Sequence, residues 1–405
     1  MRVFQINTFC GIKSTGRITT SIAQLLEKQG DECLIGFGAE DVPPMFQHYA
    51  YRIGMPIGRK VHGAIRKFLD MEGYGSSLAT WRLIRKIEAF NPDVIHLHNL
   101  HGCYVNVKML FRYLKERGTP MVWTLHDCWP FTGHCAYFDF VGCEKWQAIC
   151  DHCPQLRSYP TCLWWDGSRR NFRRKQRAFT DIPSLVLVPP CHWLEDLVKR
   201  SVLRMYPIQV IENGVDVTVF QPAPDQVCEA LRQRFGLEDK QVALAVAADW
   251  DERKGLRYLL EVAPVLDERI QLVVLGLTQT QIESLPTGIL GQNATASTQE
   301  LAAWYSLAQC LVNPTMEDNM PLVNLEALAC GTPVVVFQTG GCAEVVDDTC
   351  GRVIPKGDAL ALAKAIMEIA SQKESMKNAC LVRASHFDSQ VTYQKYLALY
   401  KELCQ

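Results

Sequence analysis

Short apolar runs alternate along this chain with longer stretches whose apolar residues return every three or four positions. That alternation is the mark of buried parallel strands joined by covering helices. Residues 2–7 (RVFQIN) form the first run. A Gly-bearing loop follows. Residues 17–30 then place Ile18, Ile22, Leu25 and Leu26 on one helical face that stops at Gly30. Further strands are predicted at 32–38 (ECLIGFG), 93–98 (DVIHLH), 121–126 (MVWTLH), 184–189 (SLVLVP) and 208–213 (IQVIEN). The second half repeats the pattern at 241–248 (QVALAVAA), 271–277 (QLVVLGL), 310–313 (CLVN), 332–337 (TPVVVF) and within DDTCGRVIP. Helices are predicted between them, in GLRYLLEVAPVL, ELAAWYSLA, ALALAKAIMEIA and around Glu326. A Pro-bearing linker, 221–226 (QPAPDQ), separates the halves, and 391–404 reads as an amphipathic helix. The predicted class is α/β, with two doubly wound domains facing across a cleft. The expected division is 1–220, with a Cys-rich insertion at 128–162 and a C-terminal helix at 385–405 packing back on it, and 221–384. Ligands of such domains bind at the carboxyl ends of the strands.

A chain of 405 residues suits two cores better than one. No apolar run approaches the ~18 residues of a membrane span. The apolar run at the N-terminus is too short and broken for a signal peptide, so a cytoplasmic location is expected. Seventeen cysteines in such a setting read as reduced thiols, most of them small buried residues such as Cys10, Cys310 and Cys330. The net charge of −1 hides an asymmetry. Residues 1–220 hold 27 Lys and Arg against 20 Asp and Glu, while 221–405 hold 15 against 23. A basic half suits anionic lipid or a phosphate-bearing substrate, or simply attracts its acidic neighbour.

The densest chemistry lies in 313–331 (NPTMEDNMPLVNLEALACG). A strand runs into a polar loop that opens a helix, where free backbone N–H groups can meet an anion. Asp318 precedes Glu326 by eight residues, and a fixed carboxylate there suits sugar or ribose hydroxyls. A solvated loop Asp and a Glu on a wet helix face are the plain alternative. In DWDERKG, Arg253, Lys254 and Gly255 stand at a strand-to-helix turn, where cations oppose the helix dipole unless a diphosphate docks. The first loop carries Gly11 and Gly16 but matches neither a dinucleotide fingerprint nor a Walker A loop. TLHDCW sets His126 and Asp127 just past a strand end, and HLHNLHG sets His96, His98, Asn99 and His101 past its neighbour. His96 is expected in the sheet packing; His98 and His101 either line the site or cap loop carbonyls.

Two segments depart from the α/β rhythm. Cys135, Cys143, Cys150 and Cys153, with His134 and His152 nearby, can supply a tetrahedral structural zinc site or serve as buried thiols. SRRNFRRKQR (168–177) carries six cations behind Trp164 and Trp165. Residues 57–71 set Val61, Ile65, Phe68 and Leu69 on one face flanked by Arg59, Lys60, Arg66 and Lys67. Such segments suit a peripheral anchor on anionic lipid, or a solvated basic face. No nucleic-acid module accompanies the charge, so nucleic acid is not an expected partner.

Taken together, TLHDCWPFTGHC, ENGVD, RKG and DNMPLVNLEALACGTPVV resemble glycosyltransferase family 4, the retaining enzymes of GT-B fold. Within it the chain looks most like the transferases of bacterial exopolysaccharide assembly, such as the colanic acid galactosyltransferases. The resemblance spans nearly the whole chain. It implies hexosyl transfer from a nucleotide diphosphate sugar to a saccharide or lipid-linked saccharide, at the inner membrane face, with no cofactor required. It places His126 and Asp318 at the reacting centre and Gly16, Arg253, Lys254, Asn319, Leu322 and Glu326 on the donor, with Glu326 on the ribose and Lys254 on the diphosphate. The family's Arg five residues before that Lys is replaced by Asp249, and Asn319, Met320 and Pro321 replace its Gly-rich run. Those departures leave a second reading open, a non-catalytic sugar-nucleotide-binding or scaffold subunit.

Overall fold

The computed structural model describes all 405 residues. They form two compact units, Met1–Glu212 with Tyr393–Gln405, and Asn213–Thr392. The first holds strands β1 (Arg2–Asn7), β2 (Glu32–Phe37), β3 (Ala50–Arg52), β4 (Val94–Leu97), β5 (Met121–Thr124) and β6 (Leu185–Val188). They pair in parallel in the order β3-β2-β1-β4-β5-β6. The second holds β7 (Gln241–Val246), β8 (Ile270–Leu275), β9 (Ile289–Gln292), β10 (Cys310–Asn313), β11 (Val334–Phe337) and β12 (Gly351–Ile354), in the order β12-β11-β10-β7-β8-β9. Both are thus Rossmann-like sheets of one topology, as the alternation predicts. In each, the first and fourth strands are neighbours whose following loops turn to opposite faces. The crevice at that switch point is where such sheets hold ligands, here beside β1 and β4 and beside β7 and β10.

The apolar runs are buried on both faces: Val3, Phe4 and Ile6 of β1 and Leu311 and Val312 of β10 have no exposed surface. Helix Lys13–Lys28 covers β1 with Ile18, Ile22, Leu25 and Leu26. It starts five residues before the apolar face does, so Gly16 lies in its first turn. A Cβ on Gly16 would stand 3.0 Å from Phe9 Cβ and 3.2 Å from two backbone nitrogens. Any other residue there requires the loop to give by a few tenths of an ångström.

Helix Gln394–Leu403 belongs to the first unit. Tyr393, Tyr396, Leu397, Leu399 and Tyr400 join Val3, Ile18, Val94 and Val122 in one cluster. Buried tyrosine hydroxyls need partners. Tyr396 Oη lies 2.9 Å from Thr124 Oγ1, and Tyr400 Oη 2.6 Å from His96 Nδ1. In the second unit, helix Lys373–Ser385 packs on helix Leu322–Ala329.

Residues 208–213 do not form the expected strand. Only Ile208 bridges to Leu187. Pro189 and Pro190 follow β6 and carry no N–H, so the pairing past Leu187 is one-sided: Ile211 N reaches Pro189 O at 3.2 Å and Pro189 has no N–H to return. Two strands went unpredicted, β3 and β9. Each is a short edge strand, partly exposed throughout, and so lacks the apolar run that marks the others. No helix is long and apolar enough to cross a membrane.

Candidate functional site

In the second unit the crevice is built by two loops. The first leaves β7 and makes a 3-10 turn, Glu252–Lys254, capped by Asp251 Oδ1 on Lys254 N at 2.9 Å. The triplet Asp249-Trp250-Asp251 has the D-x-D spelling of a metal-binding donor site. Its Asp251 holds that turn and Trp250 is buried with Nε1 on Leu275 O, while Asp249 is exposed. The second loop leaves β10 and opens helix Leu322–Ala329 behind Pro321. The loops are bonded to each other: Met316 N donates to Arg253 O at 2.7 Å. Gly255, at φ +77°, sits where a Cβ would meet Pro314 O at 2.0 Å, so only glycine allows this approach.

This bonding draws Arg253, Lys254, Asp318, Asn319, Leu322 and Glu326 to one end of the sheet. Lys254 Nζ lies 2.5 Å from Asp318 Oδ2, and Arg253 Nη1 lies 3.7 Å from the same oxygen and 2.7 Å from Glu317 O. Burial alone would push the Asp318 carboxyl up, but the Lys254 and Arg253 cations hold it below its ordinary value. Asp318 O accepts from Gly341 N at 3.1 Å, and Gly340 at φ +52° leaves no room for a Cβ there. Asn319 and Leu322 are buried. Met320, also buried, receives Asn213 Nδ2 on its carbonyl at 2.8 Å. Glu326 lies inside its helix, 2% exposed, and accepts from Tyr305 Oη at 2.9 Å, so the wet-face alternative does not hold. Tyr305 gave no signal in the sequence, because it stands on a helix 21 residues upstream. Asn313 and Asn324 lie inside the 313–331 segment and gave no signal as a pair; they meet at 2.8 Å where β10 meets the helix.

In the first unit the ends of β1, β4 and β5 carry a chain of polar side chains. His126 follows β5, and its Nε2 lies 3.0 Å from His98 Nδ1. His98 Nε2 lies 3.0 Å from Gln5 Oε1 on β1. The His98 and His126 rings are nearly coplanar in tilt, 10° apart. His96 stacks on His98 at 3.9 Å and bonds Thr124 Oγ1 at 2.8 Å, inside the sheet packing as expected. Burial keeps His96 and His98 neutral far below the ordinary imidazole range and brings His126 down to about 4. His101 is different. Its Nε2 lies 2.6 Å from Asp127 Oδ2 and its Nδ1 2.6 Å from Tyr159 Oη. Burial opposes its charge, but Asp127 raises it above the ordinary value, and His101 in turn helps hold Asp127 down. Gly16 belongs to this unit, and the loop glycine at positive φ is Gly11, φ +74°.

The four-thiol set is not assembled. No three of Cys135, Cys143, Cys150 and Cys153 bring their sulfurs within 4.8 Å of one another. Cys135 and Cys153 hydrogen-bond as a pair, which draws the Cys153 thiol down to about 7. Cys150 Sγ instead accepts Gly133 N at 3.1 Å. His134 turns Nδ1 to Asp70 at 2.6 Å, and His152 is exposed. The insertion is organised by aromatic packing: Trp146 sits 4.8 Å from Phe138 and 5.4 Å from Phe131, and thiols fill the space around them. The side chains that do converge are His62, Glu72 and Cys103. There Glu72 is already occupied by Gly102 N, Cys103 N and the Cys103 thiol.

The basic segments divide. In helix Ser168–Phe179, Lys175 is buried, 3.5 Å above the Trp129 ring and 2.6 Å from Trp129 O, and burial brings its amine down to about 7. That cation is structural, while Arg169, Arg173, Arg174 and Arg177 face solvent. Helix Pro56–Leu69 turns Ile57, Val61 and Phe68 outward, beside Trp164 at 80% and Trp165 at 61% exposure. Phe68 and Trp164 are 6.2 Å apart, and Leu163 N ties the Trp loop to Lys67 O.

Residues 15–219 match the family model described as Glycosyltransferase Family 4, and 240–372 match Glycosyl transferases group 1. The chain is 25% identical over 311 residues to the Escherichia coli (strain K12) colanic acid biosynthesis glycosyl transferase WcaC, covering 74% of this chain and 73% of that one. Its fold is similar to sucrose-phosphate synthase from Thermosynechococcus elongatus, with a TM-score of 0.72 at 16% identity over 99% and 98% of the two chains. It is also similar to Anabaena HepE solved with UDP, with a TM-score of 0.68 at 14% identity over 99% of each.

Proposed function

This chain belongs to glycosyltransferase family 4, and from that premise we propose that it moves a hexosyl group, with retention, onto a lipid-linked saccharide during assembly of a surface or extracellular polysaccharide. Family membership makes it a nucleotide-sugar-dependent retaining hexosyltransferase of GT-B fold that needs no metal. The observation that carries the finer reading is the gathering of Arg253 and Lys254 on Asp318 at the switch point of the second unit. An acid that holds two cations in place before any ligand arrives keeps a diphosphate site organised.

In this reading the second unit holds the donor and the first holds the acceptor. Glu326 takes the ribose hydroxyls, positioned by Tyr305. The departing diphosphate takes its hydrogen bonds from Lys254, Arg253 and the amides that open helix Leu322–Ala329. Pro321 contributes no N–H there, so the cations carry more of the leaving-group charge than in a Gly-rich loop. His126 touches a sugar hydroxyl near the reacting carbon, and the acceptor oxygen is the nucleophile. The likeness to WcaC favours exopolysaccharide among the products.

The test is a screen of nucleotide sugars by thermal shift, since a ligand of the native state raises apparent stability, followed by transfer assays on lipid-linked saccharide acceptors. The expected result is one donor class that stabilises the protein and is turned over. Donor binding with neither transfer nor hydrolysis would favour the scaffold reading. Glu326→Ala is expected to weaken nucleotide binding, and unchanged binding sinks its ribose role.

A further inference from the structure

The helix that turns apolar side chains outward has a second face. On Pro56–Leu69, Arg59, His62 and Arg66 follow one another at intervals of three and four residues. That spacing puts them on one stripe, away from the exposed Ile57, Val61 and Phe68. His62 is buried and pins the stripe to the first unit: its Nδ1 lies 2.9 Å from Ser76 Oγ, and its Nε2 accepts from Gly75 N at 3.0 Å. Arg59 Nε donates to Gly102 O at 3.2 Å, so the stripe lies over the loop that follows β4, next to His101.

Arg66 is the anomaly. Its Nε is buried and has no hydrogen-bond partner. The carboxylate beside it, Glu72 Oε2, is 3.9 Å from Nη1, too far for a hydrogen bond. Glu72 is committed elsewhere: Oε1 accepts Gly102 N and Cys103 N at 2.9 Å each, and Oε2 accepts the Cys103 thiol. A buried N–H without an acceptor is costly, and such a group in a native fold calls for something that supplies the acceptor. Arg59 bonds the protein through Nε, which leaves its two terminal nitrogens for a ligand. Both side chains are partly exposed and converge on one loop. Arg59 reaches the Gly102 carbonyl, and Arg66 lies beside the carboxylate that takes the Gly102 and Cys103 amides.

We propose that Arg59 and Arg66 are the seat of the acceptor's phosphate, the group that joins the saccharide to its lipid. A guanidinium offers paired N–H donors that match phosphate oxygens, and such an oxygen gives the buried Arg66 Nε its missing acceptor. The placement follows the order of parts in a lipid-linked saccharide, which is lipid, then phosphate, then sugar. The outer face of the helix meets the lipid and the inner stripe holds the phosphate. The loop carrying His101 lies beyond it, at the strand ends that receive the sugar. The proposal rests on the reading that the acceptor is lipid-linked.

Binding can be read without transfer. In protein carrying isotope-labelled arginine, the Arg59 and Arg66 Nε–H signals are assigned by their loss in Arg59→Lys and Arg66→Lys. Dodecyl phosphate, below its micelle concentration, is expected to shift both signals saturably. Dodecyl maltoside, with the same chain and a neutral sugar, is expected to leave them in place. Equal shifts from both compounds, or none from the phosphate, overturn the proposal. Calorimetry separates this seat from the donor site. The double variant Arg59→Gln, Arg66→Gln is expected to weaken dodecyl phosphate binding roughly 10- to 100-fold, and Lys254→Ala to leave it within about two-fold. The opposite pattern puts the phosphate on the donor cations and overturns the proposal. Vesicles containing anionic lipid separate the acceptor from the bilayer. The double variant is expected to bind them as the wild type does; a parallel loss makes the pair a headgroup site and overturns the proposal. A protein that transfers sugar yet shows none of these shifts keeps the functional reading and loses this one. Signals that shift in a protein without transferase activity do the reverse.

Discussion

At the scale of single residues, the site of the second unit is held by an ion pair that a ligand must share. Asp318 binds Lys254 at 2.5 Å and leaves Arg253 the longer contact of 3.7 Å. If the proposed donor site is right, replacing Lys254 by Ala removes one charge-assisted contact to the diphosphate. The expected loss is roughly 10- to 100-fold in nucleotide-sugar affinity by calorimetry. An unchanged affinity would place the diphosphate elsewhere. The histidines give a pH prediction whose sign follows from burial. His96, His98 and His126 are held below the unfolded value of about 6.5, so the unfolded chain takes up protons that the folded one refuses. Their contribution to stability is complete above about pH 6.5 and is lost as pH falls. His101 has the opposite sign: raised by Asp127, it stabilises fully below that pH and less above it. Urea midpoints should therefore drop between pH 7 and 5, with His126 alone accounting for about 2 kcal/mol. A flat profile would mean that the three rings are not buried neutral in solution.

Among the elements, the C-terminal helix is the most consequential. Its Tyr400 is fully buried and reaches His96, which stacks on His98. Tyr400→Phe strands His96 Nδ1 in the core and is expected to destabilise the protein by about 1–3 kcal/mol in urea unfolding. A loss under about 0.5 kcal/mol would mean that water replaces the hydroxyl. Central elements were legible in the sequence because parallel strands buried on both faces carry a mostly apolar run, as Val3, Phe4 and Ile6 do in β1 and Cys310, Leu311 and Val312 in β10. The edge strands β3 and β9 were not, because a half-exposed strand can be polar. The start of helix Lys13–Lys28 was missed because its first turn is polar, and Gly16 looked like a loop residue. The places of Glu326 and Asp318 past β10 were legible because charge inside an apolar strand–loop–helix unit is rare, and that of Lys254 because a cation at a strand-to-helix turn opposes the helix dipole. Tyr305, the partner of Glu326, was not, since a contact across the fold leaves no mark in local spacing, and neither was the Asn313–Asn324 pair. The thiols misled for a related reason: cysteine spacing alone does not distinguish a metal set from small residues filling space around Trp146.

For the whole molecule, the charge asymmetry and the exposed aromatics act together. Ile57, Val61, Phe68, Trp164 and Trp165 are exposed apolar residues of one helix and the Trp loop tied to it, with the exposed Lys60 and Lys67 on the same helix. A lipid-linked acceptor would require the enzyme to sit on a bilayer, and this surface suits the anionic interface. Co-sedimentation with vesicles containing anionic lipid is expected to fall strongly in a Trp164→Ser, Trp165→Ser double variant and to weaken with salt. Vesicle binding that is equal in wild type and variant would move the docking surface elsewhere.

The return of residues Tyr393–Gln405 to the first unit also sets an order of events on the ribosome. Asn213–Thr392 is a continuous stretch, and all of its strands and helices emerge while the first unit still lacks the segment that covers β1 and β4. The second unit can therefore mature first, and the earlier-made half waits for the last tyrosines to be translated before its imidazoles are sealed from water. Removing Tyr393–Gln405 would leave the second sheet complete and the histidine network of the first uncovered, so the first unit depends on a segment made after the whole of the second.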